Sequence, residues 1–291
     1  MKRLLPTCLL LGALTTIQKS AHAQNWQLVW QDEFTNGISA DWNFETGNGG
    51  GGWGNNELEY YRRENATVEN GQLVITAKRE SFGGFNYTSA RMTTQGKKSW
   101  KFGKIEARIK MPPGRGLYPC FWLNSDYDEN GSLSWPPEID ILEYAPNGVT
   151  EFPNFVHSNV ALSIPNAQGG QWLYRDSNFN SQWKFYRAPV DMTDDWHVYG
   201  MLWDTDDTVT AYLDGKKLWK RTYRWVYKDG RTAGPAHILI NLAVGGDWAG
   251  AGGIDNSAFP ASLQVSYVRV CQRATTGRGE ATCAGSQLAP H

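Results

Sequence analysis

Eight consecutive residues, Lys104-Ile105-Glu106-Ala107-Arg108-Ile109-Lys110-Met111, alternate polar and apolar. A period of two buries one face of an extended chain and wets the other, and it does not fit the 3.6-residue period of a helix. The extended habit recurs in Leu73-Val74-Ile75-Thr76-Ala77 and Thr208-Val209-Thr210-Ala211-Tyr212-Leu213, which carry the β-branched residues that strands favour. Asn70-Gly71 and Asp214-Gly215 suit the positive φ angles of tight hairpins. Residues 237–244 (HILINLAV) form a nearly continuous apolar run, the pattern of a strand covered on both sides, and residues 265–270 read as a last strand. No capped amphipathic helix of ordinary length is visible. Many strands with turn signals over about 250 residues predict one β-sandwich or barrel domain.

Composition narrows the class further. With 28 Lys and Arg against 29 Asp and Glu, the chain has no global attraction for nucleic acid or acidic membranes. Its 41% hydrophobic content excludes a disordered chain, and 4 Cys among 291 residues exclude a small disulfide-stapled domain. The 14 Trp, 13 Tyr and 31 Gly suggest turn-rich β structure with aromatic surfaces. The glycine-rich stretch 47–54 (GNGGGGWG) is followed by no Gly-Lys-Ser/Thr, so it is not a phosphate loop. It reads as a loop bent sharply around Trp53.

The ends are set apart. Lys2 and Arg3 precede an apolar stretch over 4–17, and Ala21-His22-Ala23 fits a leader-cleavage signal. Gln18-Lys19 interrupts that stretch before the roughly 20 apolar residues a membrane helix needs. Residues 1–23 therefore read as a secretory signal, 24–273 as the folded domain and 274–291 as a C-terminal tail, with a secreted or periplasmic location. Cys271 and Cys283 flank a short polar loop and could pair, tying down the tail. Cys120 lies in an apolar run and reads as a buried small hydrophobe. No Cys-x-x-Cys or His/Cys cluster points to a structural zinc.

The chemistry is concentrated in Trp135-Pro136-Pro137-Glu138-Ile139-Asp140-Ile141-Leu142-Glu143-Tyr144. On a regular strand Glu138 and Asp140 share a face while Ile139 and Ile141 enter the core. Glu143, at an odd offset from Glu138, falls on the wrong face unless one residue is bulged near Ile141-Leu142. Three acids on one face repel, so at least one is expected to keep its proton. Such a set suits a retaining glycosidase, which needs an ionised nucleophile and a protonated acid ~5–5.5 Å apart. The rivals are a solvated acidic face and a metal site. Strand spacing holds carboxylates in a row and does not wrap them round an ion.

At this segment the chain resembles glycoside hydrolase family 16, in particular its endo-β-1,3-glucanase (laminarinase-like) branch. Glu138-Ile139-Asp140-Ile141-Leu142-Glu143 matches the family's catalytic signature in its bulge-containing form. The likeness extends to Trp30-Gln31-Asp32-Glu33-Phe34, Trp53-Gly54-Asn55-Asn56-Glu57-Leu58-Glu59-Tyr60-Tyr61, and Tyr87-Thr88-Ser89-Ala90-Arg91. It continues through 199–215 and Asn241-Leu242-Ala243-Val244-Gly245-Gly246-Asp247-Trp248. These blocks run in order over about residues 26–272.

The resemblance implies an all-β jelly roll, two curved antiparallel sheets with a cleft across the concave face. It implies Glu138 as nucleophile, Glu143 as general acid/base, and Asp140 hydrogen-bonded to the nucleophile. Trp135 matches a tryptophan packed near the scissile sugar, and indole stacks well on the C–H face of a pyranose. Asn55 and Arg91 match polar residues of the sugar sites before the cleavage point, with Glu57, Trp122 and Trp248 as further candidates. His157 follows the catalytic strand and reads equally as a site or a structural histidine. Trp203 and His197 read as structural.

The chain departs from the family at Pro136-Pro137, where a glycine often precedes the nucleophile, and at Tyr118 and Cys120, where Trp and Ala are common. The stretch 144–182 lacks the usual laminarinase wording. Ser266 stands where many relatives have an Asp that ligates a structural calcium, and serine is a poor substitute for a charged ligand, which leaves that calcium open. No redox or nucleotide cofactor is implied. The expected partner is a polysaccharide entering an open groove of a monomer, with no nucleic acid or membrane. β-1,3-Glucan or mixed-linkage β-1,3-1,4-glucan is the first expectation. A bacterial exopolysaccharide or algal galactan is the second, and a non-catalytic glucan-binding protein the third.

Overall fold

The structure, a computed structural model, describes residues 26–161, 163–165, 171–173 and 184–274. The expected leader and Cys283, with the tail from 275, lie outside the described residues.

The described chain forms β1 (Trp26–Asp32), β2 (Asn43–Phe44), β3 (Glu59–Tyr61), β4 (Ala66–Glu69), β5 (Gln72–Ala77), β6 (Tyr87–Ser89), β7 (Arg91–Thr93), β8 (Gly103–Lys110), β9 (Leu117–Ser125) and β10 (Glu138–Glu143). There follow β11 (Phe155–Ala161), β12 (Ser163–Pro165), β13 (Gln171–Leu173), β14 (Lys184–Arg187), β15 (His197–Asp204), β16 (Thr208–Leu213), β17 (Lys216–Thr222), β18 (Ala236–Val244) and β19 (Ala261–Arg273). One sheet runs β17-β16-β15-β8-β19-β5-β4, with β1 also paired to β19. The other runs β14-β11-β10-β9-β18-β7-β2. Pairing within both is antiparallel, so the expected two-sheet sandwich is present. Among the described residues no helix is long and apolar enough to cross a membrane.

The alternating segment predicted first is β8, and Ile105, Ala107 and Ile109 from it enter the core. They share that core with Tyr199, Met201 and Trp203 of β15 and with Leu123, Phe121, Ile238 and Ile240 of the opposite sheet. Asn70 (φ 52°) and Asp214 (φ 49°) are in the left-handed region, each followed by a positive-φ glycine, as the hairpin reading requires. The last strand is longer than its apolar pattern suggested: β19 has 13 residues, because it pairs with β1, β5 and β8 along its length and these partners extend it beyond 265–270. All of β18 is buried, as its apolar run implied.

The glycine-rich loop does bend around Trp53 (φ 55°). At Gly49 (φ +60°) a Cβ would stand 2.5 Å from the Trp53 ring, so only glycine fits this approach.

Candidate active site

Register decides which side chains share a face. Against β9, Glu138 pairs with Asn124 and Asp140 with Trp122, and after a shift Leu142 pairs with Phe121 and Glu143 with Cys120. Ile141 is the extra residue of a β-bulge, and against β11 the ladder is irregular over the same interval. Without the bulge Glu143 would point with Ile139 into the core. With it, Glu138, Asp140 and Glu143 line one face while Ile139, Ile141 and Leu142 are buried in the core. Ser158 Oγ donates to the Asp140 carbonyl (2.8 Å), supplying a donor where the ladder is interrupted. Tyr223 donates its hydroxyl to the Glu138 carbonyl (2.9 Å).

The same register extends rows of side chains across the sheet. His157, Glu143, Cys120, Asn241 and Arg91 form one row. Asn159, Asp140, Trp122, Leu239 and Thr93 form the next. Ala161, Glu138, Asn124 and His237 form a third.

Aromatic side chains stand at both ends of the acid row. The Trp135 indole N–H donates to Glu138 Oε2 (3.0 Å). Trp135 is exposed (37%), and both peptide bonds of Trp135-Pro136-Pro137 are cis. At the other end the Tyr118 hydroxyl donates to Glu143 Oε1 (2.5 Å). The Trp248 ring meets Tyr118 edge-on (centroids 5.4 Å) and His157 edge-on (4.8 Å). His157 is buried and its Nε2 lies 2.6 Å from Glu151 Oε2, so this histidine is both a neighbour of Glu143 and a fixed part of the wall.

Across the sheet the Arg91 guanidinium lies over the rings of Trp53 (4.4 Å) and Trp122 (4.9 Å) and is ion-paired with Glu45. Trp122 Nε1 donates to Asn241 Oδ1 (2.9 Å), and Asn241 Nδ2 donates to the Tyr61 hydroxyl (3.2 Å). Asn55 Nδ2 approaches Glu57 Oε1 (3.3 Å), and Tyr61 donates to Glu57 Oε2 (3.4 Å). Glu57 is buried, and burial raises its proton affinity. It therefore braces Asn55 from behind. Its neighbour Glu59, whose proton affinity burial and then Glu57 raise well above the usual carboxylate range, accepts the Val244 N–H (2.7 Å). The chain can pass so close to Asn55 at Gly246 (φ +83°) because a Cβ there would be 2.7 Å from Asn55 Nδ2.

Glu138, Asp140, Glu143, Trp122, His157 and Arg91 thus share one sheet face. Trp135 and Trp248 flank the acids, and Asn55 and Glu57 join through Tyr61 and Asn241. Cys120 is buried and free, as its apolar run implied, and its register with Glu143 places it on the acid-bearing face. Cys271 is disulfide-bonded, and its expected partner Cys283 lies outside the described residues. Sequence reasoning missed Tyr118, Tyr61, Asn241, Glu45 and Glu151 as parts of this site. Only Tyr118 carried a usable signal, since it has the parity of Trp122 on the strand beside the acids. Among the described residues no three or more His, Cys, Asp or Glu side chains are grouped to hold a metal ion.

A family profile described as the GH16 domain of β-porphyranase A-D matches residues 26–270. The chain is 42% identical over 260 residues to clotting factor G alpha subunit of Tachypleus tridentatus, covering 88% of this chain and 35% of that protein. It is 38% identical over 278 residues to a β-glucanase of Rhodothermus marinus, covering 90% of each chain. The X-ray structure of the laminarinase from Rhodothermus marinus is similar with a TM-score of 0.71 at 36% identity, over 86% of this chain and 98% of that one.

Proposed function

The chain belongs to glycoside hydrolase family 16 and is a jelly-roll glycosidase, and from this we propose that it hydrolyses internal bonds of β-1,3-glucan or mixed-linkage β-1,3-1,4-glucan with retention of configuration. The observation that carries the reading is the bulge at Ile141, which brings the two outer glutamates onto one face. The β-glucanase and laminarinase relatives supply the substrate class. A polymer cannot enter a cell intact, so the enzyme acts outside the cytoplasm, secreted or periplasmic.

In this mechanism Glu138 attacks the anomeric carbon as a carboxylate. The Trp135 N–H on its Oε2 favours the ionised form. Glu143 gives its proton to the glycosidic oxygen as the C–O bond breaks, leaving a glycosyl ester on Glu138. Glu143, now ionised, then takes a proton from water, whose oxygen attacks the same carbon and frees Glu138. Asp140, on the same face between them, shares a proton with the nucleophile and relieves the repulsion of three charges. Interception of the ester by a sugar hydroxyl would give transglycosylation instead. The faces of Trp135, Trp122 and Trp248 offer stacking surfaces for pyranose rings, with Arg91 and Asn55 binding hydroxyls.

Glu138→Ala and Glu143→Ala are each expected to lower reducing-sugar release from laminarin by about 10²–10⁴-fold or more with unchanged thermal melting. Near-normal turnover in either variant contradicts the assignment. Proton NMR of the first-formed product should show the β-anomer.

The family profile's own description favours a second reading, an algal galactan. Parallel assays on laminarin, lichenan, agar, porphyran and an acidic exopolysaccharide separate the two. Release from the galactans alone would replace the glucan while keeping the mechanism. Glucan binding without any release would favour a non-catalytic role.

A further inference from the structure

Resting on the reading of Glu143 as acid/base, we propose that Tyr118 is its positioning residue: the Tyr118 hydroxyl aims the Glu143 carboxyl and stabilises its ionised form. Tyr118 lies on β9 two residues from Cys120, the register partner of Glu143, so both side chains leave the same face of adjacent strands. The O–H···O distance of 2.5 Å is at the short end for a bond to a carboxylate, about 2.5–2.7 Å.

The hydroxyl is itself held in place. Its ring packs edge-on to Trp248 at 78°, and Trp248 packs edge-on to His157 at 85°. His157 is anchored by Glu151 and sits opposite Glu143 on β11. A chain of two aromatic contacts and one histidine–carboxylate hydrogen bond therefore closes around the carboxyl from β9 to β11. Burial, with Cys120 and Glu143 close by, pushes the Tyr118 phenol well above its usual range, so it remains a donor wherever the enzyme works.

Other titratable groups face Glu143 as well. Asp140 and Glu138 come from its own strand, Cys120 from β9 and His157 with Glu151 from β11. Glu57 lies farther off and acts on Cys120. The carboxylates oppose a negative Glu143, and a protonated His157 would favour it. Tyr118 favours the anion without a charge of its own. A hydrogen bond to a carboxylate is about twice as strong as one to a neutral acceptor, so this bond strengthens as Glu143 releases its proton to the leaving group. It therefore assists formation of the glycosyl ester and restrains the second step, in which Glu143 must take a proton back.

The test is Tyr118→Phe, which keeps the ring against Trp248 and removes only the hydroxyl. On laminarin, kcat/KM should fall on the order of tenfold, and the alkaline limb of its pH profile should move up by about one pH unit. An aryl β-glucoside with a strongly acidic phenol as leaving group needs little protonation, and its kcat/KM should change far less. An unmoved alkaline limb, or equal losses on both substrates, overturns the proposal. Glu143→Ala measured alongside keeps the two ideas apart. If it is inactive while Y118F leaves the limb unmoved, the acid/base assignment stands and the role of Tyr118 falls. If it remains active on laminarin, the assignment falls and the inference with it.

Discussion

His237 lies at the end of the Glu138 row and is buried (3%). Burial pushes its imidazole down to about 4, from 6.5. Between those values the unfolded chain binds a proton that the folded one refuses. Stability is therefore full above pH 6.5 and falls as pH drops towards 4, by about 3 kcal/mol at pH 4 from this group. In His237→Gln the difference in unfolding free energy between pH 7 and pH 4, measured by urea titration, should be smaller by about that amount. This residue shows where single-position reading stops. Its position in an apolar run predicts burial, but the loss of its charge depends on what is packed over it. The same holds for Tyr118 and Asn241, ordinary strand residues in sequence whose partners lie 25 and 119 positions away. That Glu138, Asp140 and Glu143 share a face was legible because their spacing is local.

At the scale of the element, β10 tests the parity argument directly. Deleting Ile141 leaves Glu-Ile-Asp-Leu-Glu, in which unbroken alternation keeps all three acids on one face without a bulge. The variant loses a buried isoleucine (2% exposed), a cost of about 2–5 kcal/mol. Measurable glucan hydrolysis is expected to remain, assayed beside the midpoint of denaturant unfolding. Complete inactivity in a protein that still unfolds cooperatively would contradict the idea that side-chain direction is the main service of the bulge. The hairpin dipeptides, the alternation of β8 and the apolar run of β18 were read correctly because strand pattern and turn chemistry are short-range. The full length of β19 was not, because β1, β5 and β8 determine it from distant parts of the chain.

At the scale of the molecule, the two sheets divide the labour: one face of the β10 sheet carries the acids, and its other face packs on the second sheet. Trp203, in that second sheet, is 2% exposed and packs on Phe102 (5.0 Å) and Trp225 (4.8 Å). Trp203→Ala should cost about 3–5 kcal/mol of stability by denaturant titration, while activity per folded molecule stays near normal because no acid-row residue touches it in these contacts. The strand segments named above, the need for a bulge and the acidic face follow from the residues alone, since periodicity and parity act over a few neighbours. Which side chains converge on the acids does not. Arg91 over Trp53 and Trp122, Trp248 beside Tyr118 and His157, and Glu57 behind Asn55 meet only when β7, β9, β10, β11 and β18 align in register. That alignment is a property of pairing between remote segments, set by the burial of both sheets at once.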